Sequence, residues 1–434
     1  MNTGDTHSIV GWFRAAAPYI NRHRGKTFVV YFSGEAVAGD SFESLVHDLG
    51  LLHALGIRLV LVSGARPQIE ARLSASGLKP RYAEGLRITD LKTLDAVLEA
   101  VGRLRVLIEA RLSLSLDNTP MSGRKISVSS GNFISARPLG VRNGVDFQHT
   151  GEVRKVDAEA IRLQLDNHQC VLLSPLGYSP TGEVFNLRAE EVARETAVAL
   201  KADKLILLGE EVTAASLPTQ LAPDEVELWL ADAAAPENMA RLLRHAARAV
   251  SRGVGRAHLL DRGIDGGLLL ELFTRDGVGA MVCESGYEGL RDAVIDDVGG
   301  IVELIAPLEA EGVLARRSRE QLELDIGNFV VIERDGMIIA CSAIYPFPDD
   351  GVGEIACLAV HQDYRNQQRG DIMLRYLEKR AVELGLDKLF VLSTHTMHWF
   401  IERGYRQASL DDLPVERAAL YNYQRRSKIF VKTL

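Results

Sequence analysis

The amino-acid sequence predicts an α/β chain of two units, and three observations carry that prediction. The chain has 434 residues, more than one hydrophobic core organises, so more than one domain is expected. The first two thirds alternate short, continuously apolar segments with helix-period segments, the pattern of a mostly parallel sheet covered on both faces. After about Glu284 this gives way to an antiparallel hairpin and then a strand, loop, helix and strand. The expected boundaries are 1–284 for a three-layer α/β unit, 285–289 for a polar, glycine-containing linker, and 290–434 for a smaller mixed α/β unit.

In the first unit the predicted strands are Thr27–Phe32, Ile57–Val62, Lys125–Ser129, Cys170–Ser174, Lys204–Leu208, Ala257–Leu260 and Gly279–Cys283. Helices are predicted over Phe42–Leu55, Pro67–Ser76, Leu91–Leu112, Ala189–Leu200 and Pro236–Ser251. Asp90 is placed to cap the third of these, and Pro67 suits a first helical turn. The second unit reads as strand Leu290–Ile295, helices Asp297–Leu308 and Ser318–Ile326, and a hairpin of Phe329–Arg334 and Met337–Tyr345. Strand Gly353–Val360, helix Gly370–Leu384, strand Lys388–Ser393, helix His395–Arg403 and strand Tyr423–Lys432 complete it.

Composition excludes several classes of function. Hydrophobic residues make up 47% and charged residues 25%, a globular balance. A net charge of −8 disfavours nucleic acid as a partner of the whole chain. No apolar run reaches the roughly 18–20 residues of a membrane span, and the first fifteen residues lack the order of a signal peptide. Cys170, Cys283, Cys341 and Cys357 show no metal-binding or disulfide spacing. Buried thiols, no metal site and a reducing cytoplasm are therefore expected.

Between the strand ending at Val360 and the next helix lies Tyr364-Arg365-Asn366-Gln367-Gln368-Arg369-Gly370-Asp371. Backbone N–H groups and the positive end of a helix dipole converge at such a loop, which suits phosphate; Arg365 and Arg369 add charge, and Gly370 lets the backbone approach. The loop resembles the pyrophosphate motif of the GNAT acetyltransferases, Arg/Gln-x-x-Gly-x-Gly/Ala, with Arg365 first, Gly370 last and Gln368 in place of the middle glycine. Downstream, His398–Tyr405 resembles that family's second motif, with Phe400 where a tyrosine often protonates the leaving thiolate.

The resemblance implies acetyl-CoA as cosubstrate, bound by Cys357, Leu358, Ala359, Val360, Arg365, Gln368, Arg369, Gly370 and Asp371. In that family the strand holding Cys357–Val360 bulges and splays from its neighbour, and a bulge N–H polarises the thioester carbonyl. An amine acceptor needs a base, for which Glu354 is the candidate, and Ser393 is the candidate helper with the thiolate's proton. Two basic clusters, Arg316-Arg317-Ser318-Arg319 and Arg425-Arg426-Ser427-Lys428, suit an acceptor with two carboxylates. Arg316, Arg317, Arg425, Arg426 and Ser427 are the expected substrate contacts.

Thr27–Ala36 and Leu59–Ile69 resemble the first two phosphate loops of the amino acid kinase fold. Tyr31 stands where that family has a catalytic lysine, Ser33 replaces a glycine, and Arg66 intrudes where the second loop should read Gly-Gly-Gly. Phe185–Glu190 resembles the family's Asn-x-Asn-Ala-Asp, with Arg188 and Glu190 as departures. A kinase-like unit without phosphoryl transfer is expected. Ala257–Leu260, Gly266–Arg275 and Gly277 resemble the arginine-binding element of arginine-sensitive N-acetylglutamate kinases, which implies an effector site at Tyr19, His258, Glu271 and Gly277.

Taken with His149-Thr150-Gly151 and Leu420–Arg425, the whole chain resembles the bacterial-type N-acetylglutamate synthases. The resemblance implies acetyl transfer to the α-amine of L-glutamate, inhibition by L-arginine, and a cytoplasmic homo-oligomer, a hexamer of dimers joined through the kinase-like units. Alternatives are a bifunctional synthase and kinase, an arginine-binding regulatory protein with an inactive acetyltransferase unit, and an acetyltransferase acting on another amine.

Overall fold

The computed structural model describes residues 3–39, 41–113, 126–210, 217–233, 235–284, 288–334, 336–365, 368–394, 397–423 and 427–434. The chain forms two compact units, Met1–Ser285 and Gly286–Leu434.

The first unit is built on an eight-stranded sheet in the order Gln220–Leu221, Ala280–Val282, Arg256–Asp261, Lys204–Gly209, Thr27–Phe32, Arg58–Ser63, Cys170–Leu173 and Val128–Ser129. Every pair is parallel except Ala280–Val282 with Arg256–Asp261. Thr27–Phe32 shows why the sequence folds so. Val29 and Tyr31 enter one hydrophobic cluster while Phe28, Val30 and Phe32 enter another, so alternate residues serve opposite faces and all are apolar. Helices Ala189–Leu200 and Glu237–Val250 cover the first face, and Phe42–Ala54 and Leu91–Leu112 the second. Asp90 caps Leu91–Leu112 by accepting a bond from the Thr93 backbone N–H at 2.9 Å.

A second sheet of four strands, ordered Val184–Asn186, Leu176–Tyr178, Ile134–Pro138 and Gly151–Val156, was not expected. Its strands are short and half polar, too weakly patterned to register against their surroundings. The predicted strand Lys125–Ser129 is reduced to Val128–Ser129, with Lys125 outside the described residues.

The second unit carries a seven-stranded sheet ordered Glu288–Asp292, Phe329–Arg334, Met337–Phe347, Val352–Val360, Lys388–Ser393, Lys428–Thr433 and Arg406–Ala408. All pairs are antiparallel except Val352–Val360 with Lys388–Ser393. Three expectations change here. Glu288 and Gly289, placed in the linker, pair with Arg334 and Glu333, while 285–287 lie outside the described residues. The first strand stops at Asp292 rather than Ile295 because Asp297 turns the chain. Its carboxylate accepts from the Val294 N–H at 2.8 Å and from both Arg291 terminal nitrogens at 2.7 and 2.8 Å. The last strand runs Lys428–Thr433 instead of Tyr423–Lys432, and residues 424–426 lie outside the described set.

Candidate active site and effector site

Strand Val352–Val360 pairs with Lys388–Ser393 only from Val352/Lys388 to Ile355/Val391. Beyond Ile355 the two part. On the other side, the register with Met337–Phe347 shifts between Cys341 and Ala343, which face Ala359 and Ala356. The extra residue is a β-bulge, and Cys357 within it takes a left-handed φ of 56°, unusual for a residue with a side chain. The Cys341 thiol reaches the Cys357 carbonyl at 3.6 Å, and Ser342 Oγ donates to the Ala356 carbonyl at 3.0 Å, so the bulge is held from the closed side. The open side faces a cavity of about 590 Å³. Glu354, Cys357, Leu358, Ala359, Val360, Arg365, Gly370 and Ser393 all line it, together with Arg317 and Arg417.

Glu354 sits one residue before the parting, locked between Tyr345 and Phe390 in register. It is buried, and Arg417 clasps its carboxylate with both arms: Nε donates to Oε2 at 2.5 Å and a terminal nitrogen to Oε1 at 2.9 Å. Arg417 was not anticipated. Of the first basic pair, Arg317 reaches the cavity, whereas Arg316 is exposed and does not line it. The Arg317 backbone N–H donates to Glu309 at 3.0 Å, which fixes that segment beside helix Val298–Ala310. Ser427 is buried, its carbonyl accepting the Tyr421 hydroxyl at 2.6 Å, while Arg425 and Arg426 lie outside the described residues. Thr394 Oγ1, also lining the cavity, is buried with no hydrogen-bond partner among the described residues.

The loop before helix Arg369–Glu383 behaves unevenly. Gln368 takes a left-handed φ of 57° as the residue preceding the first turn. Arg365 is exposed at the cavity, but Arg369 turns inward, its guanidinium over the Tyr364 ring at 5.1 Å and donating to the Tyr364 carbonyl at 3.0 Å. Asp371 pairs with Arg403, and this partner holds its carboxyl below the usual range. A Cβ on Gly370 would stand 3.1 Å from the Trp399 ring, so the glycine is needed for packing as well as for backbone approach.

The first unit has its own cavity, of about 430 Å³, where the kinase-like loops meet. Gly34 and Gly64 still bring the two loops together, since a Cβ on Gly34 would strike Gln68 and Pro67, and one on Gly64 would press the backbone of residues 33 and 34. Several of its charges are paired within the cavity. Tyr31 is buried, and burial followed by the nearby Glu190 pushes its phenol well above the ordinary range, so it stays neutral. Arg66 pairs with Glu70 at 3.2 Å, Arg241 pairs with Glu190 at 3.2 Å, and Arg66 and Arg87 stack on Tyr82.

A model of the amino acid kinase family matches residues 26–261, and one of the acetyltransferase (GNAT) family matches residues 301–405. The amino-acid acetyltransferase of Ectopseudomonas mendocina (strain ymp) is 53% identical, covering 99% of this chain and 100% of its own. That of Azotobacter vinelandii is 54% identical over 98% of this chain and 99% of its own. The chain belongs to the amino-acid acetyltransferase family. Its fold matches N-acetylglutamate synthase from Neisseria gonorrhoeae complexed with coenzyme A and L-arginine, with a TM-score of 0.88 at 38% identity, over 98% of this chain and 99% of that one. The same relative complexed with coenzyme A and N-acetyl-glutamate gives a TM-score of 0.62 over the same shares. This family therefore joins the two folds read from the sequence, an amino acid kinase-like unit and a GNAT unit.

For this member of the amino-acid acetyltransferase family, three of the expected effector residues, His258, Glu271 and Gly277, come together in the first unit. His258 Nδ1 and Glu271 Oε1 lie 2.6 Å apart, and His258 Nε2 is 2.9 Å from Lys204 Nζ. Glu271 Oε2 accepts from the backbone N–H groups of Val278 and Gly279 at 2.8 and 3.0 Å. A Cβ on Gly277, whose φ is +62°, would collide with that carboxylate. Burial, then Lys204, brings the His258 pKa down to about 4, so the ring is neutral and bridges a cation to an anion. Tyr19 rides on helix Thr3–His23, which packs on helix Gly267–Phe273 through His23 Nε2 and the Leu272 carbonyl at 2.9 Å. Glu271 thus shares one short helix with the residues that the Tyr19 helix covers.

Proposed function

We propose that this chain transfers the acetyl group of acetyl-CoA to the α-amine of L-glutamate and that L-arginine, bound by the first unit, inhibits it. The observation that carries the reading is the opened strand pair: a bulge at Cys357 and a parting after Ile355 face a cavity lined by Glu354, Arg317 and Arg417 among others. An extended pantetheine arm fits where the sheet lacks a neighbour, and the bulge aims backbone N–H groups into the gap for the thioester oxygen. Arg317, with Arg425, Arg426 and Ser427 as further candidates, binds the two carboxylates of the acceptor. Glu354 takes the ammonium proton through water, the neutral amine attacks the acetyl carbon, and the carbon–sulfur bond breaks. Ser393 assists the proton that reaches the departing thiolate, because Phe400 has no hydroxyl to give.

In the relative's complexes the bound molecules named are coenzyme A, L-arginine and N-acetyl-glutamate, which supports this choice of cosubstrate, effector and product. The effector lies near Tyr19, His258, Glu271 and Gly277. The protein works as a cytoplasmic oligomer, in which N-terminal helices join pairs of kinase-like units into a hexamer. Exposed Trp12 and Phe13 on helix Thr3–His23 support contact there. Among the described residues, no helix is long and apolar enough to cross a membrane. Release of CoA thiol, measured with L-glutamate and then with added L-arginine, tests the whole reading. Thiol release that requires glutamate and falls with arginine is expected; release driven equally by other amines would overturn the substrate.

A further inference from the structure

We infer that Arg417 is a substrate-released latch on Glu354: its guanidinium holds the carboxylate out of use until an incoming acceptor carboxylate draws it away. The inference rests on Glu354 being the base. Both Glu354 oxygens are engaged by one guanidinium, at 2.5 and 2.9 Å. Such a fork fixes the orientation of the carboxylate toward Arg417. Arg417 lines the same cavity as Arg317, which carries a second positive charge near this carboxylate. Arg317, Arg365 and Arg417 outnumber Glu311 and Glu354 in the cavity lining by one charge, so an acceptor's carboxylate is attracted and competes for Arg417 directly.

The latch is also placed to let go. Arg417 belongs to the five-residue helix Val415–Ala419, and the flanking Val415 and Leu420 are 84% and 76% exposed. Few apolar contacts therefore resist its displacement. Glu354 itself is fixed, with a strand on either side. The consequence is protection of the thioester. With no acceptor present, Glu354 cannot activate water, whose oxygen would otherwise attack the acetyl carbon. In that wasteful step the carbon–sulfur bond breaks, one water proton passes through Glu354 to the thiolate, the other is lost to solvent, and acetate and CoA thiol are released.

The test measures CoA release from acetyl-CoA by the full-length protein with no amino acid added. Arg417→Ala is expected to raise this acceptor-independent hydrolysis by about tenfold or more and to raise the glutamate KM more than it lowers kcat. Arg417→Lys, which keeps the charge without the fork, is expected to fall between, and Glu354→Gln added to Arg417→Ala is expected to return hydrolysis to background. Hydrolysis at the wild-type rate in both Arg417 variants, with Glu354→Gln alone still abolishing transfer, overturns the latch and leaves the base in place. Full transfer by Glu354→Gln overturns both.

Discussion

The two cavities of this molecule differ in what their charges are doing. In the first unit, Arg66 and Arg241 are paired with glutamates, Arg66 and Arg87 stack on Tyr82, and Tyr31 is a buried neutral phenol. In the second, a strand pair opens, a bulge is held from behind, and the buried carboxylate of Glu354 faces Arg317 and Arg417 in a larger space. On the reading proposed above, the first cavity has the shape of a phosphoryl-transfer site without its electrostatics, and the second receives the two substrates of acetyl transfer. A fold is therefore a poor guide to chemistry, and the charge at a few positions is a better one.

The strongest way to break this contrast is to remove the buried carboxylate of Glu354. Glu354→Gln is expected to lower kcat by about 10²-fold or more, whereas Tyr31→Lys in the other cavity should create no ATP-dependent phosphorylation of N-acetylglutamate, because Arg66 still fills the loop. Thiol release and ADP release measure the two arms. Normal turnover in the first variant, or phosphorylation in the second, reverses the assignment of the cavities.

A second contrast concerns acid. His23 and His258 are brought down to about 4 and His245 to about 3, each chiefly by burial and then by neighbouring cations. All three lie in the first unit, and among the described residues the second unit buries no histidine. Their folded pKa values lie below the unfolded value near 6.5, so the unfolded chain binds more protons between about 6.5 and 4. Stability from this source is complete above about pH 6.5 and declines as pH falls toward 4, by up to about 3 kcal/mol in order of magnitude for each histidine. Hydrogen exchange at pH 7 and pH 5 should show protection lost from Lys204–Gly209 and Arg256–Asp261 while Phe329–Arg334 keeps its own. Equal losses in both units would remove the histidines as the cause.

Third comes the effector. Glu271→Ala deletes a carboxylate that ties His258 to the Val278–Gly279 backbone, and the arginine concentration for half inhibition is expected to rise about tenfold or more. Inhibition curves of each variant, normalised to its own uninhibited rate, measure this. An unchanged midpoint places the effector elsewhere and leaves the Lys204–His258–Glu271 chain as structure alone.

What the sequence disclosed and what it hid follow from the same physics. Strands apolar on both faces, such as Thr27–Phe32 and Lys204–Gly209, are legible because burial on two sides leaves no polar position to confuse the pattern. The short strands of the four-stranded sheet mix polar and apolar residues and carry no such signal. Arg417 was hidden for another reason: it meets Glu354 across 63 residues, from a helix of five residues with no motif around it. Arg369 was legible as a charge beside a phosphate loop, but its inward turn onto Tyr364 depends on a rotamer that packing selects. Arg316 and Arg317 are alike in sequence, and only the local turn decides that the second reaches the cavity.

The smallest expected effect compares two helix caps. Asp90 accepts from Thr93 N–H at 2.9 Å at the start of Leu91–Leu112, and Ser318 accepts from Gln321 N–H at 3.2 Å at the start of Arg319–Asp325. Replacing either by alanine removes one such bond and costs about 1 kcal/mol. The two differ in what the cap holds. Ser318 immediately follows Arg317, so losing its cap loosens the approach of that guanidinium to the cavity; Asp90 belongs to the other unit. Ser318→Ala is therefore expected to raise the glutamate KM two- to fivefold, roughly the share of a 1 kcal/mol cap, with the acetyl-CoA KM unchanged, whereas Asp90→Ala should lower thermal stability alone. Identical kinetics in the two variants would mean that Arg317 is held by the Glu309 contact to its backbone and owes nothing to the helix that follows it.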